Sequence, residues 1–476
     1  MSSATVTKLP VARYEAGQPS RYHANPPNSR SPDAEYSIAG RTLRDWARHL
    51  ADNSSIVTAI LSSRVTDAIG TGLTYEPLVR DRKGKLLDDL NDKLRKIHTD
   101  WSRAPDVTGE YSRQELERLA WRTWDLDGEC FIRRVIRRRL TNKRALPYQL
   151  QILDADWIPH NLTQDRNGEL IVHGIQKDEW GAPIRYYIET VTKFDIYTAA
   201  GTALDPARMT KIDAQDMTHL KRVQRPNQTR GVTLLHPVIF RISDIAEYQE
   251  SHRLAARASS DLFAAINRSP DMTLADDSDE KRSWDFEHLQ MLDELQPGET
   301  VNFNTPQHPN QNAVDFVREE LRAIASGCDV GFSPIAQVFD NSYSAQRMEN
   351  SYTWRKIERD RSRFIQDFAR TALYERVIET ARLAGLLPAR MLRKADPETL
   401  LDVRIDGPTM PVIDPVKDRN AFELDQINGW DSRHGIIRRM GRNPQDVDAE
   451  RESTGDNEEE EETEDDEDDE NNEGEA

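Results

Sequence analysis

Apolar residues recur along this chain first at helical spacing and then at strand spacing. Leu43, Trp46, Ala47 and Leu50 share one helix face, and after Asn53-Ser54-Ser55 the pattern resumes at Val57, Ile60, Leu61, Val65 and Ile69. Gly70 and Gly72 end that helix. Leu87, Leu90, Leu94, Ile97 and Trp101 alternate three and four apart and predict another. Ser112 and Glu115 form a capping box that opens a further helix through Leu116, Leu119 and Trp124. From Glu129 the period shortens. Phe131–Leu140, Tyr148–Leu153, Leu170–Gln176 and Ile184–Val191 read as strands, the last two joined in a hairpin by a turn over Lys177–Pro183. Residues 41–235 are therefore expected to form one α+β domain, preceded by an extended arm over 1–40 rich in Pro, Ser, Arg and Asn.

The second half is predominantly helical. Val238–Asn267 holds no Gly or Pro, Pro237 suits its first turn, and Pro270 follows its end. A single helix there would span about 45 Å. Its middle, Leu254–Ala265, is rich in small side chains, which let neighbouring helices approach closely. Residues 268–312 are polar, with one short strand near Leu295–Asn304. A second helix is expected from about Asn312 to Ser326, then a Gly/Pro/Asn-rich loop over Gly327–Ser342. Ser344–Ala384 again lacks Gly and Pro and predicts a helix of about 60 Å, with Trp354, Ile357, Phe364, Ile365, Phe368 and Leu373 on its apolar side. Residues 386–411 read as irregular, and Asp414–Val447 as two short helices around Gly429 and Gly435. Long helices bracketing a small polar insertion suit an elongated subunit that packs sideways against copies of itself.

Charge changes this picture at one end only. The 476 residues carry 83 acids and 64 bases, a net −19, but 15 of the acids lie in Asp456–Ala476, which has no base. The remainder is nearly neutral at −4, so a general basic coat for nucleic acid is excluded. The tail reads first as a disordered, solubilising segment, with repulsion of DNA, scaffolding, or mimicry of DNA for a basic partner as the functional alternatives. Two cysteines, Cys130 and Cys328, cannot form a disulfide framework or a four-ligand zinc site, and a reduced, intracellular setting fits. The N-terminus has no apolar core of a signal peptide, and no apolar run approaches a membrane span.

Candidate chemistry is sparse. There is no Walker A pattern and no His/Cys cluster, so the sequence calls for neither a cofactor nor a metal. Asp271, Asp279 and Lys281 loosely resemble the carboxylates and lysine of a metal-dependent nuclease, but no strand holds them, and a solvated loop is the simpler reading. The densest basic stretch is Arg133, Arg134, Arg137, Arg138 and Arg139, readable as a phosphate contact or as the solvated face of a strand.

The order of several segments resembles the portal proteins of tailed bacteriophages, in particular the lambda-like portal family. The resemblance rests on Ile69-Gly-Thr-Gly-Leu73, Trp124-Asp-Leu-Asp-Gly-Glu-Cys-Phe131, Leu150–Asp156 and Gly174–Tyr187. It continues through Arg225–Gly231, Leu295–Glu299, Ile324–Ser333, Tyr343–Arg347 and Ile413–Lys417. Cys328-Asp329 departs from the more apolar pair expected there, and the acidic tail lies outside the pattern.

The resemblance implies a non-enzymatic ring, typically of twelve copies, at one capsid vertex, through which double-stranded DNA is packaged and ejected. The implied fold has a wing (41–235 and a long helix at 344–385), stem helices (236–267 and 312–328), a clip (268–311), a tunnel loop (329–343) and a crown (386–455). Asp340, Asn341, Ser342 and Tyr343 would give the tunnel loop polar, mobile tips. Asp315, Arg318, Glu319 and Arg322 would line the channel, and Asp276, Asp277, Asp279 and Glu280 would form the clip surface. Implied partners are the terminase large subunit, the capsid or scaffold protein and a head-tail adaptor, with no membrane. The location implied is the virion, and the host cytoplasm during assembly. A nuclease or another head-tail connector component are the alternatives; connectors are usually much smaller.

Overall fold

The structure, a computed structural model, describes residues 29–137, 146–166, 169–189, 209–261, 264–268, 299–303, 311–339, 342–411 and 414–454. Helix α1 (Pro32–Asn53) starts well inside the stretch read as an extended arm. Ser31 accepts a hydrogen bond from the Ala34 amide, Pro32 fills the first turn, and Asp33 and Glu35 face the positive end of the helix dipole. Helix α2 (Ser55–Ala68) follows, and Gly70 adopts the left-handed conformation that ends it. Strand β1 (Thr74–Pro77) leads to α3 (Asp88–Ser102), which buries Leu90, Leu94, Ile97 and Trp101 as its spacing requires. The Ser112 amide and hydroxyl both meet Glu115 at 2.7 Å, making the expected capping box at the start of α4 (Arg113–Asp127).

Two antiparallel sheets come next. Strands β2 (Glu129–Ile136), β3 (Tyr148–Leu153) and β9 (Met217–Lys221) form one, in the order β3-β2-β9. The other is a meander of β4 (Gln164–Arg166), β5 (Glu169–Val172), β6 (Ile175–Lys177), β7 (Pro183–Ile188) and β8 (Thr210–Asp213). The stretch read as one strand, 170–176, is split because His173 and Gly174 both take positive φ, folding β5 back on β6. The hairpin across residues 177–183 is present.

Helix α5 (Ile239–Asp261) is shorter than its proline-free sequence allows. Ala264–Arg268 forms strand β10 instead, antiparallel to β11 (Glu299–Phe303). Alanine's helix preference is weak against a ladder offered by Thr300, Val301 and Phe303. Helix α6 (Gln311–Gly327) matches expectation, but the following loop contains a short helix, α7 (Phe332–Ala336). The third long helix runs as α8 (Tyr343–Phe364), a π-helical stretch (Ile365–Glu375) and α9 (Arg376–Leu383). The wide turns keep Phe364, Phe368, Ala369, Ala372 and Leu373 on the buried side. The stretch 386–411 is less irregular than expected. It holds α10 (Ala389–Leu392) and β12 (Val403–Asp406), which pairs with β1. Three helices rather than two close the described chain: α11 (Pro415–Ile427), α12 (Arg433–Arg439) and α13 (Pro444–Thr454). Gly429 and Gly441, both at positive φ, separate them; Gly435 lies within α12.

The chain forms two compact bodies, so 41–235 is not one domain. The first takes Met1–Val65, Leu119–Arg138 and Tyr148–Asn341; the second takes Thr66–Arg118, Arg139–Pro147 and Ser342–Ala476. In the first, Ala47, Leu50, Ile60 and Leu61 pack with Leu235, Val238, Ile242, Ile324 and Cys328. A second cluster, including Phe131, Leu153, Ile175, Tyr186 and Met217, fills the space between the sheets. In the second body, Arg361 is buried beside Trp354 and donates to the carbonyls of Asp67 (2.8 Å) and Pro408 (2.7 Å).

Candidate functional site

The first body carries a stalk. Helices α5 and α6 run antiparallel, with Arg241 bonded to Glu320 at 2.9 Å and Tyr248 against Phe316 at 5.0 Å. Beyond Ile245, α5 is exposed or half-exposed at every described position to Arg257. Phe240 is 77% exposed, and Leu254, Val314 and Phe316 are also exposed. Strands β10 and β11 extend the same hairpin past the helices. Most helical stability in proteins comes from packing an apolar face, and here part of that face is left open within the single chain.

Both roots of the stalk are pinned by buried ions. At the α5 end, Gly128 and Gly231 touch backbone to backbone; a Cβ on Gly231 would lie 2.0 Å from the Gly128 carbonyl oxygen. That approach sets Glu129 against Arg230, both fully buried. The Arg230 Nε donates to both Glu129 carboxylate oxygens, at 2.9 and 2.8 Å. Arg44 (3.0 Å), His219 (3.1 Å) and the Gly231 amide (3.1 Å) also donate to Glu129. The remaining Arg230 N–H groups serve the carbonyls of Ala155, Ile158 and His173, each at 3.0 Å. Burial alone would raise the Glu129 pKa, but the Arg230 charge and the His219, Arg230 and Arg44 contacts outweigh it and hold the carboxyl well below its ordinary range. Burial pushes His219 down to about 4 despite its bond to Glu129, so it is a neutral donor at pH 7.

At the α6 end, the Arg64 Nε donates to Asp125 at 2.9 Å, and its Nη1 reaches the carbonyls of Cys328 and Asp329, both at 3.4 Å. Asp329 is in the left-handed conformation just beyond the helix. Arg64 thus satisfies carbonyls of the turn just past the helix end. Arg222 also pairs with Asp125 and lies over the Trp124 ring.

These ions were missed as a group in the sequence. The available signal was acid at every second position in Trp124-Asp-Leu-Asp-Gly-Glu-Cys-Phe131, a segment otherwise apolar and entering a strand. A companion network in the second body joins Arg113, Glu117 and Tyr75, with the Tyr75 hydroxyl 2.8 Å from Glu117.

The expected site residues fare unevenly. Asp315, Arg318, Glu319 and Arg322 do share one stripe of α6, opposite buried Ala313 and Ile324. Arg322 pairs with Glu319 and lies over Phe332. Ser342 and Tyr343 are not loop tips. Ser342 caps α8 by accepting from the Ala345 amide, and Tyr343 is its first residue. Asp340 and Asn341 lie outside the described residues, as do Asp276, Asp277, Asp279 and Glu280. Of the basic patch, Arg133 and Arg134 sit on β2 and Arg137 is exposed, while Arg138 and Arg139 lie outside. Arg134 donates to the Gln215 carbonyl (2.9 Å) and Thr218 (3.0 Å), tying it to its own sheet.

Asp271, Asp279 and Lys281 lie outside the described residues too. Among the described residues no group of three or more His, Cys, Asp or Glu could hold a metal, and no helix is long and apolar enough to cross a membrane. Cys130 and Cys328 are both buried and unbridged.

Comparison with known proteins agrees in kind. A family model described as phage portal protein, lambda family, matches residues 18–361. A protein named probable portal protein, from Halomonas phage phiHAP-1, is 27% identical over 442 residues, covering 88% of this chain and 81% of that protein. Among solved structures, the neck of a native gene transfer agent particle, computed with twelvefold symmetry, matches at a TM-score of 0.44 and 14% identity, over 84% of this chain and 94% of that one. The virion of the native particle matches at a TM-score of 0.42 and 14% identity, over 85% and 94%.

Proposed function

The chain belongs to the lambda family of phage portal proteins, and from that premise we propose that its copies close into a ring, of about twelve, around a channel for double-stranded DNA. The observation that carries this is the stalk. Its α5–α6 pair leaves Phe240, Leu254, Val314 and Phe316 exposed in the single chain, and side-by-side packing of copies would bury them. In this reading α5 and α6 are the stem, and the 268–311 segment is the clip that docks a terminase and later a head-tail adaptor. The 329–343 segment faces DNA, residues 386–455 form the crown, and the capsid or scaffold protein holds the ring in the vertex. The location is the virion, after assembly in the host cytoplasm, and the role is structural.

Charge on the stem supports a conduit. Strong phosphate neutralisation would release counterions and make each step of translocation an affinity barrier. The α6 stripe offers two acids and two arginines, with Arg322 already paired to Glu319. Such a lining keeps DNA central without holding it. Electron microscopy of the purified protein tests the proposal. Rings with a central hole are expected; a stable monomer at micromolar concentration would refute it.

A further inference from the structure

We propose that the solvent face of helix α8 is a contact surface for the phosphate backbone of duplex DNA, distinct from the stripe on α6. It rests on the portal reading for the presence of DNA in the assembly. Ile357, Asp360, Arg361 and Phe364 fix the buried side of α8. At 100° per residue the opposite side carries Ser344, Met348, Ser351, Tyr352, Arg355, Arg359 and Ser362, with Arg363 and Lys356 on its flank. No acid falls on this face; Glu358 and Glu349 stand at its edges, and the Glu358 carboxylate is engaged by the Trp354 indole at 2.9 Å.

Every polar group on the face other than its edges can donate. Arg355, Arg359 and Arg363 follow one another at four-residue intervals, about 6 Å apart along the axis, with serine hydroxyls and the Tyr352 hydroxyl between them. Guanidinium, ammonium and hydroxyl donors without base-reading geometry are what backbone contacts use. Local ion pairs do not use up this charge. Arg355 has no ion pair among the described residues. Arg359 pairs with Asp360 at 3.0 Å while 64% exposed, and Arg363 with Asp367 at 3.4 Å, both 42% exposed. Exposed pairs of this kind are weak and readily exchanged for phosphate. Tyr352 is 63% exposed with Lys356 over its ring, and Met348 is 72% exposed, as an unoccupied contact face would leave them.

The test is fluorescence anisotropy of a random-sequence 30-base-pair duplex with the full chain, from 50 to 200 mM salt. The variants are the triple Arg355→Gln/Arg359→Gln/Arg363→Gln and the triple Arg→Lys at the same positions. If each arginine neutralises one phosphate, the glutamine variant should lose about 2.7 from the log–log salt slope, so that its affinity changes about 40-fold less over this range. The lysine variant should keep the slope. An unchanged slope in the glutamine variant overturns the proposal. So does arginine-dependent binding of a synthetic peptide of residues 456–476 with none of the duplex, which would assign the face to an acidic polypeptide. Ring formation by each variant is imaged in the same samples, so loss of the ring itself is read separately from loss of DNA contact.

Discussion

Replacing Glu129 with glutamine preserves its shape and removes its charge from a site with no solvent. In the native protein the carboxylate receives donors from Arg230, Arg44, His219, the Gly231 amide and Tyr36. A glutamine offers one accepting oxygen and turns an NH2 group towards groups that also donate. Arg230 is fully buried, and its nearest carboxylate is Glu129 at 2.7 Å. Removing one partner of a buried ion pair typically costs 3–5 kcal/mol, because the other charge stays in a medium that cannot solvate it. Against a total stability of roughly 5–15 kcal/mol, that is a large fraction. Urea unfolding followed by the fluorescence of Trp121 and Trp124 should show the first body's midpoint falling by about 1 M or more. The pH dependence adds a second check. The native carboxyl titrates well below its unfolded value, so its contribution is complete above the unfolded pKa and is lost as pH falls through the folded one. The gap between native and Glu129→Gln should therefore be widest near pH 7 and close on acidification. A loss under about 1 kcal/mol at pH 7, or a gap that does not narrow in acid, would refute the argument.

Other expectations follow from the same geometry. Gly231→Ala should unfold the first body or render it insoluble, since its Cβ would sit 2.0 Å from a backbone oxygen; Gly385→Ala, with nothing within 4 Å, should cost only about 1–2 kcal/mol for its positive φ. Thermal melts distinguish the two. Burial and the Arg113 charge press His98 down to about 3, so the unfolded chain gains a proton that the folded one refuses, and stability should fall as pH drops from about 6.5 towards 3. His98→Gln should flatten that slope for the second body in urea titrations at successive pH values. Phe240→Ser with Leu254→Ser should leave circular dichroism unchanged and shift sedimentation from ring towards smaller species, because both side chains are exposed within one chain.

Periodicity made the helices and most strands legible, and local chemistry placed the Ser112 cap and the turn before β7. Departures came where local preference was close to balanced. Ala264–Arg268 has helix-forming residues, yet a partner strand more than thirty residues away claims its backbone. Ser31 and Pro32 start a helix in a segment whose composition suggested an open arm. For the site, the α6 stripe was readable from helix spacing, whereas Ser342 and Tyr343 belong to a helix start that only the capping geometry identifies.

Taken by itself, the sequence determined the element types, the order of segments shared with a family, and the confinement of excess charge to the last 21 residues. These depend on spacing, composition and order, which are one-dimensional properties. The division into two bodies, and the pinning of the stalk by Glu129–Arg230 and Arg64–Asp125, were decided only by the tertiary structure. Glu129 and Arg230 are 101 positions apart, and Arg64 and Asp125 are 61. A carboxylate and a guanidinium read as surface residues until the chain's path buries them together. Burial then turns a weak exposed attraction into an interaction neither partner can lose alone.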